Sequence, residues 1–254
     1  MVAGCKTSAP PPDMTAAPPT RGGVTLAGDA IATPLVSALA RDFSARHPGK
    51  PIAVESPLGT IGGLLALDAK RLSGALVVTT EPATPREGAL FLGSTRVVVA
   101  VGPGVRERRL RGPDLVQLVA GQTAQWTNGQ PVHVLLGAPG NLAERALSHR
   151  LEGLERAIID ARSTHRWPVE VAADTRRTRL ERTSGAVSIA TEGNLRLEGT
   201  AAWILTLEDT DAANVFLWLV MGEDAEPRIA AFARFTASTA AKSIMADFGF
   251  EPAP

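Results

Sequence analysis

From Gly23 onward, short β-like apolar runs alternate with segments of helical period, and this alternation restricts the fold more than any other feature of the chain. Val24 to Ala27 reads as a strand, and Thr33-Pro34 supplies an N-cap followed by proline at the first helical position. The helix runs to about His47, with Leu35, Leu39 and Phe43 on one face, and stops at Pro48-Gly49. Pro51 to Glu55 reads as the next strand, Gly63 to Leu72 as a helix and Gly74 to Thr80 as a third strand. Such a βαβαβ unit predicts a parallel sheet with right-handed crossovers.

The theme continues through the middle of the chain. Strands are expected at Arg96 to Val101, Pro131 to Leu136, Val169 to Ala172, Ala186 to Ala190 and Val215 to Met221. Helices are expected at Pro113 to Ala120, at Asn141 to about Leu151, and from Asp174. Two more helices close the chain, one carrying Ile229, Phe232 and Ala233, the other Ala241, Ile244, Met245 and Phe248, with Gly249 in the C-cap position. So many α/β units exceed one minimal sheet and predict two lobes.

Composition excludes several function classes. With 254 residues, 44% hydrophobic and 20% charged, the chain can bury a sizeable core. Lys+Arg 26 balance Asp+Glu 26, so no global field draws the protein to nucleic acid or an anionic membrane. The apolar stretches Ala201 to Leu207 and Val215 to Met221 fall short of the ~20 residues of a membrane span. Cys5 is the single cysteine, which excludes an intramolecular disulfide and a cysteine-based zinc site. His47, His133, His149 and His165 are widely separated and form no metal-binding helical pair. No Gly-x-Ser-x-Gly elbow or phosphate loop occurs, so an enzyme is not expected and no cofactor is implied.

Val2-Ala3-Gly4-Cys5 resembles a bacterial lipobox, which implies lipidation of Cys5. Residues 6–22 are proline-rich with almost no large apolar side chain, as an extended tether requires.

Several local patterns resemble the substrate-binding proteins of ABC importers, closest to the phosphate-binding branch. Gly28-Asp29-Ala30-Ile31-Ala32-Thr33-Pro34 is similar to that family's first strand-to-helix loop, and Gly59-Thr60-Ile61-Gly62-Gly63 to its second. The segment Leu110 to Gln130, with Asp114-Leu115, Gly121, Trp126 and Asn128-Gly129, resembles another of its motifs. Ser184 to Ala190 resembles the strand returning to the first lobe, and Asp247-Phe248-Gly249-Phe250-Glu251-Pro252 the family's final segment. The resemblance implies an α/β, two-lobed periplasmic-binding-protein-like (type 2) fold, with mixed sheets flanked by helices and a ligand cleft between lobes. Mapped onto this chain it gives a first lobe of 23–93 plus 190–254 and a second of 95–185. It further implies an extracytoplasmic monomer that captures a small solute or oxyanion such as phosphate and delivers it to a membrane permease or a sensor.

The chemistry expected of such a cleft follows from helix ends, where unpaired backbone N–H groups and the macrodipole favour an anion. Three helices start just after a strand, at Gly28 to Thr33, Gly59 to Gly63 and Gly140-Asn141. Ala30, Ile31, Thr60, Ile61, Thr80, Gly140 and Asn141 are the candidate ligand contacts. Thr60 and Asn141 serve equally as N-caps, and Thr33 is expected to be one. Thr79-Thr80 stands where the phosphate-binding branch ends its third strand with aspartate, and Leu135 to Asn141 lacks the family's arginine and serine. Arg176 or Arg177, within Asp174 to Arg179, is the candidate replacement cation, with Asp174 alternatively an N-cap. The missing charges support a second reading, a tethered scaffold or sensor domain of this fold that binds a protein partner, and exposed apolar residues at the cleft rim would favour it.

Overall fold

The computed structural model describes residues 24–170, 173–197, 199, 203–222 and 227–253, so Cys5 and the tether lie outside the described residues. The first unit is β1 (Val24–Gly28), α1 (Thr33–Arg46), β2 (Ile52–Val54), α2 (Gly59–Asp68) and β3 (Gly74–Thr79). β1 pairs in parallel with β2, Val24 opposite Ile52, and with β3, Leu26 opposite Gly74. The expected parallel βαβαβ unit is therefore present.

Alternation along β3 explains why helices lie on both faces. Leu76 and Val78 join Leu26, Leu35, Leu39 and Phe43 in the main core, beneath α1. Ala75 and Val77 point the other way, to Leu67 of α2 and Trp218. α2 begins four residues earlier than the sequence predicts and ends at Asp68, before Leu72. Burial overrides the glycine penalty there. Gly63 lies so near β1 that a Cβ on it would stand 2.9 Å from the Gly28 Cα and 3.2 Å from the Ala27 carbonyl oxygen.

The chain then continues through β4 (Leu90–Val101), β5 (Arg109–Arg111), α3 (Gly112–Val119), β6 (His133–Gly137), α4 (Leu142–Ser148), α5 (Leu154–Ser163), β7 (Val169–Glu170), α6 (Ala173–Arg182) and β8 (Ala186–Thr191). It ends with α7 (Glu192–Leu197), β9 (Trp203–Glu208), β10 (Asn214–Met221), α8 (Pro227–Thr236), α9 (Thr239–Asp247) and β11 (Glu251–Pro252). The strand order is β2-β1-β3-β10-β4-β8-β6-β7, with β11 and β9 on β4 and β5 on β9. Parallel and antiparallel pairs mix, which makes this an α/β fold of the two-lobed kind.

β4 links the two strand groups. Leu90 to Arg96 pairs with β10, and β11 joins at Gly93 and Ser94. Val97 to Val101 pairs instead with β8, and Val99 to Val101 also with β9. The β-branched run Val97-Val98-Val99 announces only the second half of this strand, because glycine, serine and threonine interrupt the first. At the changeover, Glu192 is bonded by Arg96 Nε at 2.9 Å and Arg196 Nη2 at 2.6 Å, with its own side chain 8% exposed. Burial raises the Glu192 pKa, but the hydrogen bonds and charges of Arg96 and Arg196 outweigh it and hold the carboxyl below its usual range.

Other elements differ from the expectation for local reasons. The helix expected over Asn141 to Leu151 stops at Ser148, and α5 follows after Gly153, which adopts a φ of 83°. β5 and β9 are short or half-exposed and carry weak periodicity, yet they pair in parallel, Leu110 opposite Leu207. α8 closes the first group from outside, where Phe232 meets Phe43 edge to face at 5.5 Å.

Candidate functional site

The carboxyl ends of β1 and β3 carry the candidate site, and the shortness of the loops brings it together. Gly28 leads directly into Asp29, whose N–H donates to the Leu76 carbonyl at 2.9 Å. A Cβ at Gly28 would lie 2.0 Å from that same carbonyl oxygen, so only glycine lets β1 end against β3 in this way. The Leu58 N–H donates to the Gly28 carbonyl at 3.0 Å, which fixes the start of α2 beside Asp29.

Asp29 organises the loop. Its Oδ1 accepts the Ile31 N–H at 3.0 Å, the two-residue reach of an Asx-turn. Its Oδ2 accepts the Thr60 hydroxyl at 3.1 Å. The Thr60 hydroxyl in turn accepts the Val78 N–H at 3.2 Å. Burial of the group raises the Asp29 pKa, and the bonds from Ile31 and Thr60 offset only part of that rise.

The sequence candidates fall into two groups. Ala30, Ile31, Thr60, Ile61 and Thr80 all stand at this edge: Ala30 and Ile61 are exposed, and Ile31, Thr60 and Thr80 are half-buried. Next to Thr80, the Thr79 hydroxyl accepts the Trp218 indole N–H at 3.1 Å and donates to the Glu81 carbonyl at 2.6 Å. Thr33 is not the cap of α1. That position is Ala32, and the Thr33 hydroxyl donates to the Asp29 carbonyl at 2.9 Å, because the Asp29 turn already delivers the chain into the helix.

Gly140 and Asn141 belong to the second group, at the start of α4. Asn141 is the N-cap, its Oδ1 accepting the Glu144 N–H at 3.1 Å. Beside it a depression of about 210 Å³ is lined by Asn141, Glu144, Arg145, Ser148, Ile159 and Arg162 among others. Glu144 is buried; its Oε1 accepts the Gly137 N–H at 2.6 Å and its Oε2 pairs with Arg162. Arg162 also donates to the Gly137 carbonyl at 2.8 Å. A glutamate and an arginine on successive helices thus hold the β6 turn, a pair invisible to local pattern because it joins residues 18 apart.

Arg176 lies in α6, but its side chain is outside the described residues. α6 starts at Ala173, so Asp174 stands inside its first turn rather than capping it. His47 is the C-cap of α1 and stacks on Phe43 at 4.3 Å. Among the described residues, no three His, Cys, Asp or Glu side chains gather as metal ligands, and no helix is long and apolar enough to cross a membrane.

Sequence reasoning missed Asp29 as a participant. Its signal is present in hindsight: an acid directly after a strand, two residues before Ile31, is an Asx-turn pattern. The half-burial of Thr60 and its partnership with Val78 depend on how close α2 comes to the sheet, which no local pattern reports.

Two strand groups that share β4, helices on both faces and a loop cluster at the carboxyl edge define a two-lobed α/β architecture. Solved structures share it. The chain is similar to a putative phosphate ABC transporter substrate-binding protein with bound phosphate from Clostridium perfringens, with a TM-score of 0.73, 12% identity, and coverage of 91% of this chain and 100% of that one. It is similar to an ABC-type phosphate transport receptor from Vibrio cholerae, with a TM-score of 0.63, 15% identity, and 91% and 100% coverage. It is also similar to a reduced form of OxyR from N. meningitidis, with a TM-score of 0.60, 14% identity, and 91% and 98% coverage. At these identities the likeness establishes the fold. No protein-family model matches the chain, and no curated protein matches its sequence.

Proposed function

We propose that this protein is an extracytoplasmic solute-binding protein, anchored through Cys5, that captures a small ligand between two lobes and presents it to a membrane permease. The lobes are taken as 23–93 with 190–254, and 95–185. The observation that carries the reading is the cluster at the carboxyl edge of β1 and β3, where Asp29, Ile31, Thr60 and Thr80 surround two short loops. Open α/β sheets place ligands at this edge because helix starts and strand ends leave polar backbone groups there. The phosphate-binding neighbours support a solute as the ligand class, and hinge closure between lobes supplies the delivery step.

The test is a thermal-shift screen of residues 23–254 against phosphate, sulfate, molybdate, small carboxylates and amino acids. A ligand at 100 times its Kd adds about 2.7 kcal/mol, and at roughly 2–4 °C per kcal/mol the transition should rise by about 5–10 °C. Trp218, bonded to Thr79 beside Thr80, supplies an independent fluorescence readout. No shift with any solute, by either readout, would refute the reading.

One observation favours the second reading, a scaffold or sensor domain of the same fold. Leu58, Ile61 and Leu65, spaced along the start and one face of α2, are 49%, 74% and 62% exposed. They lie beside the candidate site, where apolar exposure has no role in holding a polar solute. A partner that docks there would be lost on Leu65→Glu, with ligand-induced shifts unchanged.

A further inference from the structure

We infer that Asp29 is the specificity-determining residue of the cleft: its carboxylate occupies from within the chain the Ile31 N–H and the Thr60 hydroxyl, donors that would otherwise face an oxyanion, and so disfavours oxyanions against solutes that present an N–H or O–H donor. The inference deepens the proposed function and rests on the cleft being a solute site. Its basis is an accounting of hydrogen bonds at the carboxyl edge.

The donors available to a ligand from β1 and α2 are few. The Ile31 N–H goes to Asp29 Oδ1 at 3.0 Å. The Thr60 hydroxyl has one proton, and since its oxygen already accepts from the Val78 N–H at 3.2 Å, that proton goes outward. The Thr60 Oγ1 lies 3.1 Å from Asp29 Oδ2 and 3.5 Å from the Val78 carbonyl oxygen, so the carboxylate is the better acceptor. Two donors proposed for the ligand are thus directed at one side chain that belongs to the protein.

Two consequences follow. An incoming oxyanion would find those donors turned to Asp29, and it would stand within a few ångström of a like charge, where repulsion is strong in a half-buried site. A carboxylate offers about four lone-pair positions, of which two are engaged by Ile31 and Thr60, so acceptor capacity stays open to a donor on the ligand. The arrangement selects by charge at the place where the fold would otherwise supply an anion cradle. Local geometry adds to this. Gly28 and Gly63 hold β1 and α2 in contact, which keeps Asp29 beside the start of α2.

The experiment is a calorimetric titration with inorganic phosphate and with sulfate of three forms of residues 23–254: the native chain, Asp29→Ala and Asp29→Asn. The native chain should show no binding at millimolar phosphate. Asp29→Ala, which frees both donors and removes the charge, should gain affinity on the order of 10²-fold or more, the size expected from removing a like charge at contact distance. Asp29→Asn removes the charge and keeps the shape, so it should gain less, and it serves where Asp29→Ala fails to fold. Native binding of phosphate that weakens in either variant would overturn the inference, since Asp29 would then be a partner of the anion. Failure of both folded variants to bind phosphate or sulfate would overturn it as well. The solute-binding reading is judged apart from this, by whether the native chain responds to any solute in the thermal screen.

Discussion

Gly63 offers the sharpest test of how the candidate site is held together. In an exposed helix, glycine to alanine stabilises by about 0.5–1 kcal/mol, because alanine restricts the unfolded chain and favours the helix. At Gly63 the added methyl would stand 2.9 Å from the Gly28 Cα and 3.2 Å from the Ala27 carbonyl oxygen, both backbone atoms that cannot rotate away. Ordinary contact needs roughly 3.5 Å or more, so α2 must retreat by about half an ångström or β1 must bend. Overpacking of this kind costs about 1–3 kcal/mol, which exceeds the helix gain. The neighbouring Gly62 is the internal control. A methyl there meets only the Leu58 Cβ at 3.1 Å, a side chain one turn back on an exposed face. Gly62→Ala should therefore be neutral or slightly stabilising, while Gly63→Ala should be destabilised by about 2 kcal/mol relative to it. In a chain of this size that is a difference of about 4–8 °C in Tm, readable by circular dichroism, with urea melts to confirm an unchanged m-value. Equal stability of the two variants, or a more stable Gly63→Ala, would refute the close approach of α2 to β1 and with it the geometry that aims Thr60 at Asp29.

Thr60→Val keeps the shape but leaves the Val78 N–H without its acceptor and Asp29 with one donor fewer, so urea denaturation should show a loss of about 1–3 kcal/mol. Because the Glu192 pKa is depressed, its contribution to stability is present above the unfolded value of 4.5 and lost as pH falls through the folded value. Glu192→Gln should therefore cost about 1 kcal/mol at pH 7 in thermal melts, and the gap to the native chain should narrow as the pH falls below 4.5; a gap that persists in strong acid would contradict the ion-pair account. Glu144→Ala removes the buried partner of Arg162 and the acceptor of the Gly137 N–H, and should cost about 3–5 kcal/mol. The double variant Glu144→Ala, Arg162→Met should recover part of that loss.

The periodic parts of this chain were legible before any coordinates. Leu35, Leu39 and Phe43 mark a helix stripe, and β1, α1 and β3 stand where the apolar pattern places them, because helical and strand periods are written in neighbouring residues. Elements whose burial comes from elsewhere in the chain were not legible. α2 starts at Gly59 rather than Gly63 because close packing on β1 outweighs the cost of three glycines in its first turns. The first half of β4 forms because β10 and β11 pair with it from more than a hundred residues away, against its own glycine and serine content.

The site divides in the same way. The sequence by itself determined which loops would stand at the carboxyl edge, since a strand-to-helix turn with glycine at Gly28 and a second at Gly59 puts Ile31 and Thr60 at helix starts in any parallel arrangement. Only the tertiary structure decided what those groups bind. The Asp29 carboxylate lies between two loops that are 31 residues apart in the chain, and it is the approach of α2 to β1 that turns the Thr60 hydroxyl toward it. Hydrogen-bond partners across such a distance depend on ångström-level separations set by packing, and residue order does not encode separations of that kind one position at a time.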